Sequence, residues 1–270
     1  MEEHILGVTK VVNWLLAKPA LALLALLHVQ PSNPDYPIPN HVSMEILVFL
    51  VAAVFFLMLR MRLSVERPGA VQQCMESVLT NPMGLGVRDL LRSNIGHGAD
   101  RYIAMLGSIG IFVLFCNLIS LIPGLESPTA QISVPFGCAI VVFVYYNYAG
   151  IYRKGPLGHG KHFLGPNLWM SPIMLPIELV SNAARLLSLT VRLWVNMFVS
   201  ELLYGIFLGL LVELFLFLGK LNTLGYAAFI LPLTLPGIFI ILHIFVGVLQ
   251  AFVFTILPVI YVADAVKEHH

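Results

Sequence analysis

The sequence predicts an all-α integral membrane protein with several transmembrane helices, closed by a C-terminal hairpin of two long, strongly tilted helices. Three observations predict it. Hydrophobic residues make up 59% of the chain and charged residues 11%, and mean hydropathy is +0.89, outside the range of soluble domains. The apolar residues fall into separated runs long enough to span a bilayer. From Pro172 onward, two apolar stretches exceed the length of a perpendicular crossing. A net charge of +1 leaves no basic surplus for nucleic acid. Cys74, Cys116 and Cys138 sit in separate segments with no paired spacing, so no disulfide framework or metal site is expected.

Residues 1–41 read as an N-terminal outer-side or interfacial segment, and residues 42–270 as a single membrane domain. The chain opens Met-Glu-Glu, unlike the basic start of a signal peptide, so insertion through its own spans is expected. Residues 11–29 are apolar but carry Asn13, Lys18 and Pro19, with a Pro-rich stretch behind them, which favours the interface over a crossing. A first span at about 42–61 stops at Arg60 and Arg62. Val71, Met75, Val78 and Leu79 then repeat at helical spacing within a polar stretch, predicting an amphipathic surface helix. Further spans are expected at about 102–123 and 132–149. The loops 60–101 and 153–161 carry Arg and Lys while 124–131 carries none, so the first two face the cytoplasm and the third the outside.

The long stretches run over about 172–218 and 224–262. At about 1.5 Å per residue they would measure roughly 70 and 58 Å, against about 30 Å of hydrocarbon. They must tilt, bend or break; Gly205, Gly209, Pro232, Pro236 and Pro258 are the places for bends. The short turn 219–225 folds them into an antiparallel pair. Glu178, Arg185 and Arg192 follow at intervals of seven with Asn196 four beyond, so the four share one helix face. Glu201 stands about half a rotation away and faces a different pocket. His243 and Gln250, again seven apart, share a face of the second helix.

Each polar residue also has a plain structural reading. Glu213, near the end of its span, suits snorkelling, and His243 alone suits a packed core. Asn196 or Gln250 alone would serve as glue between helices. Gly158-His-Gly-Lys-His162 is a short loop lacking a third ligand type, so metal binding is not expected, and His269-His270 is assigned no role. Arg192 differs, because a guanidinium at mid-span cannot shed its charge. Holding it there costs from roughly 3 to over 10 kcal/mol, which points to an ion path.

The run Arg192-Leu-Trp-Val-Asn196-Met-Phe-Val-Ser-Glu201, preceded by Ser188-Leu and followed by His243 and Gln250-Ala-Phe-Val-Phe254, resembles subunit a of the F-type ATP synthase. That subunit is the membrane stator facing the rotating c-ring. The resemblance extends through Asn117-Leu-Ile-Ser-Leu-Ile-Pro-Gly124, Pro128-Thr-Ala130 and Glu178. It implies that Arg192 is the essential arginine, attracting each passing c-subunit carboxylate and blocking a direct proton shunt. Asn196, Glu201, His243 and Gln250 would surround the entry half-channel from the outer side, and Glu178 and Ser181 the cytoplasmic exit. Arg185 falls where the family usually has a basic residue. Implied partners are the c-ring, the peripheral-stalk b subunits, the rest of the synthase and the lipid bilayer; no cofactor is implied. A bacterial inner membrane is the implied location, and the chain alone, lacking a nucleotide-binding loop, is expected to be no enzyme. Trp194-Val195 replaces the commoner Phe-Gly, Ser200 stands where a glycine often precedes the glutamate, and Gln131 stands where many relatives carry an acid.

Arginine suits such a role because a lysine could deprotonate and open a leak. The membrane field supplies about 2.3 kcal/mol per charge per 100 mV, which two offset half-channels convert into a directed step. Glu201 and His243 are candidates to pass protons. The alternative, a secondary ion-coupled transporter, would show a second copy of the 178–201 pattern, and an intramembrane hydrolase would need a nucleophile or metal motif; neither is present in the sequence.

Overall fold

A computed structural model describes residues 5–26, 28, 30–31, 33, 35–65, 68–79, 86–96, 98–122, 124–164, 171–218 and 230–266. The described residues are all-helical, and six helices are long and apolar enough to cross a membrane.

Helix α1 (Gly7–Leu26) lies beside α2 (Asn40–Met61). Asn13, which the sequence offered as a reason against a crossing, is 3% exposed. Its Nδ2 donates to the carbonyls of Thr9 and Ile38, and its Oδ1 accepts the Ile38 N–H, each at 2.9 Å. A buried amide satisfied on both ends stabilises where an unpaired one would cost free energy, so Asn13 fastens α1 to the chain entering α2. Nearby, Thr9 donates to Asn40 Oδ1 at 2.8 Å. By length and composition α1 is among the six helices able to cross.

The amphipathic helix expected after Arg62 is α3 (Ala70–Leu79). Gln72 secures it, accepting the Ser64 N–H and donating to the Ser64 carbonyl at 3.1 Å each. A second short helix, α4 (Val87–Ile95), packs beneath the last helix; its polar stretch lacks the length that makes helical periodicity legible. Arg88 and Arg92 pair with Asp100 at 3.5 and 3.4 Å, at the start of α5 (Asp100–Leu118). A 3-10 turn, Ile119–Leu121, closes α5, and a second, Pro128–Ala130, follows. Helix α6 (Ser133–Leu164) passes the expected end at Ala149 and breaks at Gly155. Gly155 has φ 73° and ψ 163°, backbone that only glycine adopts at little cost.

Helices α7 (Ser171–Leu218) and α8 (Ile230–Val266) pack along one another. Arg185 meets Asp264, Ser200 meets His243 and Phe207 stacks on Phe239, so rising numbers on one helix meet falling numbers on the other: the pair is antiparallel. Their connection, 219–229, lies outside the described residues. Both helices continue through the glycines and prolines read as places for bends.

Helix α8 is the hub, in contact with α4, α5, α6 and α7. Leu91, Leu106, Val142, Leu193, Met197 and Phe254 form the main core, all buried. A second cluster, with Met44, Val48 and Cys116, joins α2 to α5. At Gly110 an added Cβ would run into the Thr255 hydroxyl, so the glycine is what lets α5 approach α8, as small residues do in helix packing within membranes. Outside these cores, Phe49, Leu57, Ile173, Leu179, Ile206 and Phe245 stand more than half exposed or close to it. Hydrocarbon or partner subunits, rather than water, suit such a surface.

Candidate functional site

Two polar clusters lie at different heights along α7, and Arg192 stands between them. The upper cluster is built where α7 and α8 meet the turns that follow α5. His243 on α8 is 4% exposed and has partners on both ring nitrogens. Its Nε2 lies 2.9 Å from Ser120 Oγ and 3.2 Å from the Asn117 carbonyl oxygen. Its Nδ1 lies 2.7 Å from Ser200 Oγ on α7.

From Asn117 the network continues outward. Thr129 donates to Asn117 Oδ1 at 2.7 Å, and Asn117 Nδ2 donates to the Gly247 carbonyl of α8 at 3.0 Å. Ser127 Oγ lies 2.7 Å from Thr129 Oγ1 and donates to the Cys116 carbonyl at 2.9 Å, while the Ser127 N–H donates to Glu201 Oε1 at 3.1 Å. Asn117, Thr129 and Ser127 are 0%, 0% and 2% exposed. In low-dielectric surroundings such groups are stabilising only when mutually satisfied, so the network sets where Glu201 and His243 sit.

Glu201 lines a cavity of ≈ 510 Å³ together with Asn40 and His41 of α2, Glu126 and Gln131 of the loop, and Tyr204. The cavity has room for several waters and opens among groups able to order them. Trp194 anchors the same region, its indole N–H donating to the Ala130 carbonyl at 2.9 Å.

The lower cluster joins α6, α7 and α8. Tyr146 donates to Asn182 Oδ1 at 2.7 Å. Arg185 reaches Asp264 at 3.6 Å and lies 5.1 Å from the centre of the Tyr261 ring, an ion pair reinforced by a cation–π contact. Glu178 and Ser181 are half-buried one to two turns below Arg185.

Along α7, Arg192 is about 10 Å above Arg185 and about 14 Å below Glu201. Its side chain is exposed and makes no hydrogen bond or ion pair among the described residues. Asn196 is half-buried one turn further, and Gln250 is 4% exposed, neither with a side-chain hydrogen bond among the described residues. The structure therefore brings Glu201 and His243 into one connected network, and leaves Arg192, Asn196 and Gln250 in the interval between clusters. The side chains of the 158–162 tract, and His269-His270, lie outside the described residues.

Several members were not singled out from the sequence as site residues: Ser120, Ser127, Thr129, Ser200, His41, Glu126, Tyr146, Asn182 and Asp264. Asn117 and Ser120 carried a readable signal, two polar residues three apart at the end of an apolar run. The others depend on contacts between segments far apart in sequence.

The family model described as "ATP synthase A chain" matches residues 42–263. "ATP synthase subunit a" of Koribacter versatilis is 39% identical over 267 residues, covering 99% of this chain and 99% of the relative. The protein of the same description from Solibacter usitatus is 42% identical over 234 residues, covering 87% and 90%. That of Nitratidesulfovibrio vulgaris is 38% identical over 222 residues, covering 82% and 84%.

Proposed function

Because this chain belongs to the ATP synthase A chain family, we propose that it is the stator subunit of a rotary F-type synthase in a bacterial inner membrane. In this reading its two ion half-channels and Arg192 couple proton translocation to rotation of a c-ring. The observation that carries the reading is Arg192 itself, a permanent cation exposed on α7 with no hydrogen bond or ion pair among the described residues, set between two polar clusters at different heights. A cation that expensive to hold in hydrocarbon suits a counter-charge from outside the chain.

A carboxylate on a passing c-subunit would be stabilised near Arg192 while ionised, because opposite charges attract strongly where the dielectric is low. It would be neutralised by a proton wherever water reaches it. The cavity beside Glu201 supports an entry path from the outer side, with Glu201, His243, Asn196 and Gln250 along it. The Glu178, Ser181 and Arg185 region supports the exit. The c-ring and the peripheral-stalk b subunits are the proposed neighbours, and nucleotide chemistry is assigned to other subunits of the complex.

ATP-driven proton pumping and passive leak in vesicles carrying the whole complex with Arg192→Ala test this reading. Pumping should be abolished with the complex still assembled. Pumping at the wild-type rate would mean that Arg192 has no part in coupling.

A further inference from the structure

His243 faces three groups whose chemistry restricts how its ring can be protonated. The Asn117 carbonyl, 3.2 Å from Nε2, has only lone pairs to offer and can only accept. Ser120 Oγ, 2.9 Å from the same nitrogen, already has an acceptor for its own proton in that carbonyl, at 3.2 Å. A lone pair on Nε2 could take the Ser120 proton but would still face the carbonyl lone pairs at 3.2 Å, whereas an Nε2–H serves the carbonyl and the Ser120 oxygen together while Ser120 keeps its own bond to Asn117. In the neutral ring that leaves the lone pair on Nδ1, aimed at Ser200 Oγ 2.7 Å away.

We propose that Ser200 is a positioning residue for His243: its hydroxyl donates to Nδ1 and holds the neutral imidazole in the Nε2–H form, with its basic nitrogen turned toward α7. This rests on the stator reading only for its consequence, since the ring's orientation is a matter of local chemistry. A hydroxyl suits the position because it can serve both charge states. When Nδ1 takes a proton, Nδ1–H becomes the donor and the Ser200 oxygen the acceptor, and the hydroxyl proton rotates away without any heavy atom moving. A glycine or alanine here could do neither, and a ring only 4% exposed has little access to a substitute.

The test is ¹⁵N NMR of histidine-labelled protein in the membrane-reconstituted whole complex, labelled in this chain only, with His243→Gln identifying the resonances. Wild type should show a protonated Nε2 and a hydrogen-bonded, unprotonated Nδ1. Ser200→Ala should move the Nδ1 resonance to that of a free acceptor, and Ser200→Thr should restore it. ATP-driven pumping should fall about fivefold in the alanine variant, the scale of one lost hydrogen bond, and recover in the threonine variant.

A wild-type spectrum with the proton on Nδ1 would overturn the inference without any variant being needed. So would an Nδ1 resonance in Ser200→Ala that matches wild type. Normal pumping in Arg192→Ala would remove the stator reading yet leave the spectra unaffected, so the two failures are distinguishable.

Discussion

Trp194 and Ser200, which the family resemblance sets against a phenylalanine and a glycine, each make a side-chain hydrogen bond that neither of those residues could. Trp194 reaches the Ala130 carbonyl and Ser200 reaches His243. Both tie α7 to neighbouring elements, the loop after α5 and helix α8. A bond that matters for stability lies at Thr129, which is fully buried and satisfies Asn117 Oδ1. Thr129→Val preserves shape but leaves a buried amide oxygen unpaired, at a cost of about 1–3 kcal/mol. The thermal midpoint of the purified complex should fall, and His243, hung from the Asn117 carbonyl, should lose its fixed position. An unchanged midpoint would show that water replaces the threonine hydroxyl.

At the scale of elements, the contact between α5 and α8 depends on one missing side chain. Gly110→Ala puts a methyl group into the Thr255 hydroxyl, while the same change at Gly107 meets nothing within 4 Å. Gly107→Ala should be neutral or stabilising by up to about 1 kcal/mol through helix propensity. Gly110→Ala should reduce the amount of this subunit recovered with the complex, and Thr255→Ala in the same chain should restore part of it. Equal recovery of the two single variants, read by immunoblot of purified complex, would show that α5 and α8 can separate without penalty. The Arg185–Asp264 pair contributes less, since Asp264 is half exposed and exposed pairs are worth about 0–1 kcal/mol.

For the whole molecule, the distribution of Arg and Lys predicts a cytoplasmic α2–α5 connection and a Glu201 cavity that opens to the outer side. Cysteines substituted for Arg62 and for Gln131, both exposed positions, report on opposite sides. In intact cells a membrane-impermeant maleimide should label Gln131→Cys and not Arg62→Cys, and inverted vesicles should reverse the pattern. Labelling of both from one side would place the cavity on the wrong side for entry.

Much of this architecture is legible in the sequence because lipid imposes a simple rule: backbone polar groups must be satisfied internally, so long apolar runs become helices. The same rule makes Arg192 conspicuous, since a charge within such a run demands a purpose. Hydropathy and motif order thus determined the five long apolar helices from α2 onward, though not α4 or the far end of α6, together with the family resemblance and the residues along α7 and α8. Tertiary structure alone decided that His243 hangs between Asn117, Ser120 and Ser200, that Ser127 presents its N–H to Glu201, and that Asp264 answers Arg185. These contacts join residues up to 126 positions apart. Which polar groups meet depends on helix rotation and close approach, fixed by packing at sites such as Gly110 and Gly247, and neither is encoded in the periodicity of any single segment.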